Sequence, residues 1–438
     1  MSLFQVKSML ATEATRPVGP VFESNCADIS VAVTIARAHE AEPALHAWTQ
    51  LAVPTSIALG NSGPLQGWPL AVKDNIDVRG FPTRCGSPVS DPRAKVQDAS
   101  VVAQLRAAGA VPIGKTVTTE FAYVTAGPTR NPWHLGHTPG GSSSGSAAVV
   151  AAGLVPIALG TQTGGSMIRP AAFCGVVGFK PSYGTVSREG MHLGCESLDV
   201  IGWFGSSVQH AHAVARVLLP ARSESPRRLD DAHIVWLDAN PGHAMQPDAA
   251  AALSSAAALI TEHTRLVRRT AEFAGHAELL AAHATLMHYE FARSLQATVM
   301  ADDGLLSGPL LEAVRRGWAV DGDTYVAARR LQAKAQLSWE ASLGDADFVL
   351  TSSALGTAPA GLQHTGDSGF NKGWSVLGWP CIHLPTTFAA NGLPLGVLLV
   401  ARPHADLDLL TWAGQIHTVI DQRGNANRTP IQQPKAVS

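Results

Sequence analysis

The sequence predicts an α/β layered fold with a largely buried central sheet. Three observations carry this. Short β-branched runs alternate with Ala-rich stretches of helical spacing, the texture of strands covered by helices. Apolar residues make up 46% of the 438 residues and charged residues only 15%, so a large core can be buried. Strand texture also returns at Asp347 after a long helical stretch. Although length alone suggests about three domains at roughly 150 residues each, that return favours one continuous sheet and a single domain over 1–438.

In chain order, residues 1 to about 60 read as irregular structure plus one Ala-rich helix near Ile29–His39. Pro69–Val72, Val111–Ile113, Val155–Leu159 and Val176–Phe179 are short β-branched runs and read as strands. Ser100–Ala108 places apolar residues at 101, 102, 105 and 108, a helical spacing, and Gly109 follows as a C-cap. Gly127–Gly145 is rich in Pro, Gly and Ser and reads as loop. Residues 205–345 are Ala-rich and helical in period, for example Ala249–Leu266 and Ala277–Leu295. They read as a helical segment packed on the α/β body. Strands follow at Phe348–Thr351, Ile382–Leu384 and Leu395–Val400, then a helix from about Leu407 to Ile420 and a polar, frayed tail.

Composition excludes several classes. Lys plus Arg number 32 against 34 for Asp plus Glu, a net charge of −2 with no basic block, which argues against a nucleic-acid binder. The longest apolar run, Ala147–Leu159, is broken by Gly153 and Pro156 and is too short to span a bilayer. No secretory signal is visible at the N-terminus. Five scattered cysteines without a CxxC suit a reduced, cytoplasmic chain.

Three segments carry candidate chemistry. In GWPLAVKD, Lys73 follows an apolar run. It is either a strand-edge lysine reaching water or a buried amine whose lowered pKa makes it a base. PGGSSSG, residues 139–145, is either a flexible linker or a backbone nest opening the helix at Ala147–Ala152. Its G-x-S-x-G match is rejected as a nucleophile elbow, because the approach from Asn131 to Pro139 is not a strand. In GTQTGGSMIR, Ser166 follows two glycines after a strand. That turn either directs successive N–H groups at one oxygen or is a tight turn with a hydroxyl cap.

The weaker candidates read as structural. His134-x-x-His137 and His210-x-His212 lack accompanying Cys, Asp or Glu ligands, so no metal is expected. Trp133, Trp203, Trp374 and Trp379 read as core or pocket wall. Glu290 reads as a solvated helical carboxylate, with the substrate pocket as its alternative.

These segments together resemble the amidase signature family of serine hydrolases. GWPLAVKDNIDVRGFPT, DASVVAQLRAAGAVPIGKTVTTEFA and PGGSSSGSAAVVAAGLVPIALGTQTGGSMIRPAAFCGVVGFKPSYG carry the likeness, with GWPCIHLPTTFAANGLPLGVLLVARP later. The resemblance implies a mixed, twisted central sheet covered by helices on both faces. It implies a catalytic set of Ser166 as nucleophile, Ser142 as bridging serine at a cis peptide, and Lys73 as base. The N–H groups of Thr163, Gly164, Gly165 and Ser166 would hold the oxyanion, and Ser143 would hydrogen-bond to that set. The chemistry is coherent, since a serine needs a base to lose its proton and Ser–Lys pairs supply one.

The chain departs from the commoner family text twice. Gln162 stands where an Asp is usual, and the arginine lies three residues after the serine, at Arg169, instead of two. This form resembles the malonamidase-like branch, in which an arginine at that position faces a substrate carboxylate. The expected function is therefore hydrolysis of a small linear amide without metal or cofactor. The expected substrate is a small molecule, with no nucleic-acid or membrane partner, and a homodimer is a compatible assembly. The rival readings are the A-type subunit of a glutamine-dependent amidotransferase, acting in a complex, and a non-catalytic anion-binding protein.

Overall fold

The computed structural model describes residues 30–53, 62–220, 228–237, 243–262, 264–269, 275–301 and 304–426. Its strands are β1 (Trp48–Leu51), β2 (Pro69–Lys73), β3 (Val111–Thr116), β4 (Ile157–Gln162), β5 (Val177–Lys180) and β6 (Val200–Gly205), then β7 (His233–Leu237), β8 (Arg265–Arg269), β9 (Phe348–Ser352), β10 (Cys381–Phe388) and β11 (Pro394–Ala401). They form one mixed sheet in the order β1-β3-β2-β4-β6-β5-β10-β11-β9-β7-β8. The β3–β2–β4 block is parallel, as is β9–β7–β8, and the strands between them pair antiparallel.

Strand alternation explains how both faces are covered. Leu70 and Val72, Ile157 and Leu159, and Leu350 and Leu399 all point to one core, shared with the Ser100–Ala107, Val208–Leu218 and Pro247–Thr261 helices. Their neighbours Ala71 and Ala158 point to the opposite face, under the Val31–Leu45, Ser144–Ala151 and Ile168–Cys174 helices. Val349, Leu398 and Val400 pack there against the His276–Ser294, Gly308–Ala319 and Gly322–Leu343 helices. A sheet buried on both faces reads as continuous apolar runs, and for that reason its strands are visible in the sequence.

Residues 205–345 differ from the helical segment the period predicts. They contribute β7 and β8 to the sheet, and the helix expected to reach Leu266 stops at Thr261. Parallel pairing with β9 selects His233–Leu237 as strand, a long-range contact that local Ala content cannot register. β1 and β6 also lie outside the runs singled out in the sequence, and the last helix runs from Asp406 to Ala426, past the predicted end. The expected irregular N-terminus and the tail beyond Ala426 lie outside the described residues. No described helix is long and apolar enough to cross a membrane.

Candidate active site

β2 and β4 run parallel, so Lys73 and Gln162 end at the same edge of the sheet. The carboxyl ends of parallel strands are where loops gather side chains. After β4, residues 163–167 turn into the Ile168–Cys174 helix, and the loop ending at Ser143 leads into the Ser144–Ala151 helix. Lys73 meets Ser142 in this corner, and the backbone of Ser166 is tied to that of Ser143 beside it. Gly140, at φ +81°, allows the close turn before Ser142, where a side chain would collide with Pro170. The Gly141–Ser142 peptide is cis.

Lys73 is fully buried, and its Nζ donates to Ser142 Oγ at 2.7 Å and to Thr161 Oγ1 at 2.7 Å. Burial pulls its ammonium down to about 7, against smaller upward pulls from Asp199 and Cys85. Two other lysines are buried equally deeply. Lys115 faces Asp74 at 3.0 Å, and Lys180 donates to Pro181 O at 3.0 Å. Lys115 also donates to Thr83 Oγ1, but of the three only Lys73 is held by hydroxyls alone, the environment from which a neutral amine can take a proton.

Ser143 locks this arrangement from behind. Its Oγ accepts from Thr161 N at 3.3 Å and donates to Thr161 O at 3.2 Å. Asn75 Nδ2 adds a donor to Thr161 Oγ1 at 3.0 Å. Ser142 and Lys73 show no exposure, while Ser166 is 9% exposed, so Ser166 is the one of the three that reaches the surface of the site.

The Thr163–Ser166 turn is fixed by its carbonyls. Thr163 O takes His283 Nε2 at 3.2 Å, Gly164 O takes Ser375 Oγ at 2.6 Å, Gly165 O takes Arg169 N at 3.0 Å, and Ser166 O takes Ser143 N at 3.4 Å. With every carbonyl turned outward and bound, successive N–H groups can converge on one oxygen. Gly165 is required by packing, because a Cβ there would stand 2.8 Å from Ser368 Cβ. Asp199 secures the start of the turn, accepting from Thr163 Oγ1 at 2.5 Å and from the N–H groups of Gly194 and Cys195.

Gln162 explains its own departure from the family text. Its Oε1 accepts from Met167 N at 2.8 Å and Ile168 N at 3.1 Å, capping the helix after Ser166. Its Nε2 donates to Ser375 Oγ at 3.0 Å, the hydroxyl that holds Gly164 O. An aspartate could accept at the first place but could not donate at the second.

Arg169, expected from the resemblance to face a substrate carboxylate, has its fork against backbone. Its Nε and Nη2 donate to Gly141 O at 3.2 and 2.6 Å, and Nη1 donates to Gly366 O at 2.6 Å. Three of the five N–H donors of the fork thus hold backbone carbonyls, one of them directly before Ser142. The side chain is buried, and desolvation lowers it to about 10. Glu290 is likewise neither solvated nor free: it accepts from Ser197 N at 2.9 Å and Tyr325 OH at 2.7 Å. Trp203, Trp374 and Trp379 are core residues, and Trp133 donates to Cys174 O. Among the described residues no three His, Cys, Asp or Glu side chains gather as a metal site.

Thr161, Asn75, Asp199, His283 and Ser375 also build the site. Thr161 and Asn75 lie inside the recognised segments, although neither is singled out there. Asp199, His283 and Ser375 come from later segments and carry no local signal.

The Amidase family model matches residues 31–261, more than half of the chain. The chain belongs to the amidase family. The A-type subunit of the glutamyl-tRNA(Gln) amidotransferase from Methanosarcina barkeri (strain Fusaro) is 52% identical over 155 residues, 34% of this chain and 33% of that protein. The chain thus aligns with about a third of the length of the curated relatives it matches. Among solved structures, one titled simply as an amidase is 27% identical, with a TM-score of 0.77 over 96% of this chain and all of that one. Another, an inhibitor-bound vestigial protein complex bearing on the origins of an s-triazine catabolic enzyme, is 25% identical. Its TM-score is 0.80 over 97% and 99% of the two chains. Amidase-family membership thus accounts for the mixed sheet as well as the matched motifs.

Proposed function

We propose that this chain hydrolyses the C–N bond of a small linear amide through an acyl-enzyme on Ser166. The observation that carries the reading is Lys73, fully buried, near neutrality and bonded to hydroxyls instead of a carboxylate. Neutral Lys73 accepts the proton of Ser142 as Ser142 takes that of Ser166. Ser166 Oγ attacks the carbonyl carbon, and the N–H groups of the 163–166 turn hold the oxyanion. The relayed proton passes to the leaving nitrogen as the C–N bond breaks, releasing ammonia or an amine. Water then cleaves the ester by the same relay. Arg169, through Gly141 O, positions Ser142, and the four described cysteines, all buried and outside any disulfide, suit a cytoplasmic setting.

Two measurements test the reading. A fluorophosphonate is expected to label Ser166, identified by peptide mass, and hydroxylamine should divert the acyl-enzyme to a hydroxamate. Unlabelled Ser166, with no amide turned over, would return the chain to the anion-binding alternative. Exchange of Gln162 for Glu is expected to reduce kcat by about tenfold or more while labelling persists. That is less than the roughly 10²–10³ for deleting an oxyanion donor, because only the tie through Ser375 is lost. Unchanged kcat in Gln162→Glu would remove Gln162 from the support of the turn.

The 52% identity to one component of an amidotransferase favours a second reading, a glutaminase subunit that hands ammonia on within a complex. Size-exclusion chromatography of the native protein separates the two. A free-standing amidase runs as a monomer or homodimer with full activity, whereas a component of a complex needs its partner for glutamine hydrolysis.

A further inference from the structure

With the Arg169 fork bound to backbone, a different cation stands beside the nucleophile turn. Lys372 lies half-buried on the Gly369–Leu377 helix. A Cβ on Gly164 would stand 3.6 Å from Lys372 Cγ and 3.3 Å from His283 Nε2, so the lysine stem lies against the turn itself. Three bonds beyond Cγ, the ammonium has a reach of about 4 Å.

Among the described residues no carboxylate forms an ion pair with Lys372. Asp367, five residues earlier, accepts from Gly369 N at 2.5 Å and stands 3.7 Å from His243. The nearby histidines add no anion. Burial first, and then the charge of Lys372, lowers His283 to about 4, and burial, then Arg316, and last Lys372 lower His288. His283 is therefore a neutral donor to Thr163 O. The helix is fixed where Lys372 begins, since Asn371 is buried and donates to Ser353 O at 3.1 Å. A cation on a rigid element, partly removed from water and in no ion pair among the described residues, favours an anionic ligand.

We propose that Lys372, and not Arg169, selects an amide substrate that carries a carboxylate on its acyl portion. The inference rests on the amide-hydrolase reading and names the substrate class of that site. The carboxylate pairs with the Lys372 ammonium while the amide carbonyl sits over Ser166. A rival role, in which Lys372 stabilises every substrate's oxyanion at long range, predicts no preference between acid and neutral amides.

The test compares wild type, Lys372→Met and Lys372→Arg on short amide acids (malonamate, succinamate) and on neutral amides of similar size (propionamide, butyramide). Calorimetric binding of malonate and succinate is measured beside turnover. Lys372→Met is expected to lose about 30-fold or more in kcat/KM on the amide acids and less than about threefold on the neutral amides. It should weaken binding of at least one dicarboxylate by a similar factor, and Lys372→Arg should recover most of both. Equal losses on the two amide classes, a wild-type preference for neutral amides, or dicarboxylate binding unchanged in Lys372→Met would overturn the proposal. Binding reads Lys372 without turnover, whereas loss of fluorophosphonate labelling at Ser166 reports failure of the hydrolase reading itself.

Discussion

Replacing Ser166 by Ala should lower kcat by roughly 10⁴–10⁶-fold, the scale on which a missing nucleophile disables a catalytic set that acts as a unit. The side chain is small and sits at the edge of the core, at 9% exposure, so folding should be unaffected. The residual rate measures what the 163–166 turn contributes without covalent attack. Ser142→Ala should be damaging but less complete, because a water can enter near Lys73 and relay part of the proton transfer. Steady-state hydrolysis with ammonia detection, together with circular dichroism, separates a chemical loss from a folding loss. More than about a tenth of wild-type turnover in folded Ser166→Ala would sink the acyl-enzyme mechanism.

Lys73→Met should be nearly as inactive, and it should also be more stable than wild type. The folded-state value of about 7 lies below the ordinary 10.5, so burial opposes the charged form. The folded chain then binds fewer protons than the unfolded chain between those two values, and stability rises with pH across that window. Below about pH 7 the penalty is complete. The shift corresponds to roughly 4–5 kcal/mol, from which two lost hydrogen bonds at ~1 kcal/mol each must be subtracted. A net gain on the order of 1–3 kcal/mol for Lys73→Met at pH 6 follows, visible as a higher Tm. The gain should shrink by pH 9. Wild-type kcat/KM should rise through an apparent value near 7 as Lys73 loses its proton, and be about tenfold lower at pH 6 than on the plateau. A pH-independent rate between 6 and 9, or a Tm gap that widens with pH, would contradict the assignment of Lys73 as a buried base.

The expected stability gain gives a reason for such a lysine to persist. A group that costs stability where it stands is kept for what it does, the usual trade between activity and stability at a reactive site. Lys115 shows the contrast. Burial also lowers its pKa, but Asp74 at 3.0 Å pulls it back upward, whereas Lys73 has only hydroxyls in direct contact.

The sequence by itself determined the layered α/β class, most of the central strands and the segments that meet at the site. It could do so because strands buried on both faces are written as continuous apolar runs, and because the GTQTGGS turn and the PGGSSSG loop are local in the chain. Tertiary structure decided the rest. Lys73, Lys115 and Lys180 all end or follow apolar runs, and only the groups brought against them distinguish hydroxyl partners from a carboxylate or a carbonyl. Three residues past Ser166, Arg169 was free in sequence to face substrate or backbone. The approach of Gly141 O and Gly366 O, the latter 197 residues away, turned it to backbone. β7 and β8 sit inside Ala-rich surroundings of helical period and became strands through pairing with β9 and with each other. His283, Ser375 and Lys372 reach the nucleophile turn from helices more than a hundred residues later in the chain. Local periodicity records what one segment buries. Which distant side chain completes a site depends on how the segments pack together, and no single stretch of sequence contains that.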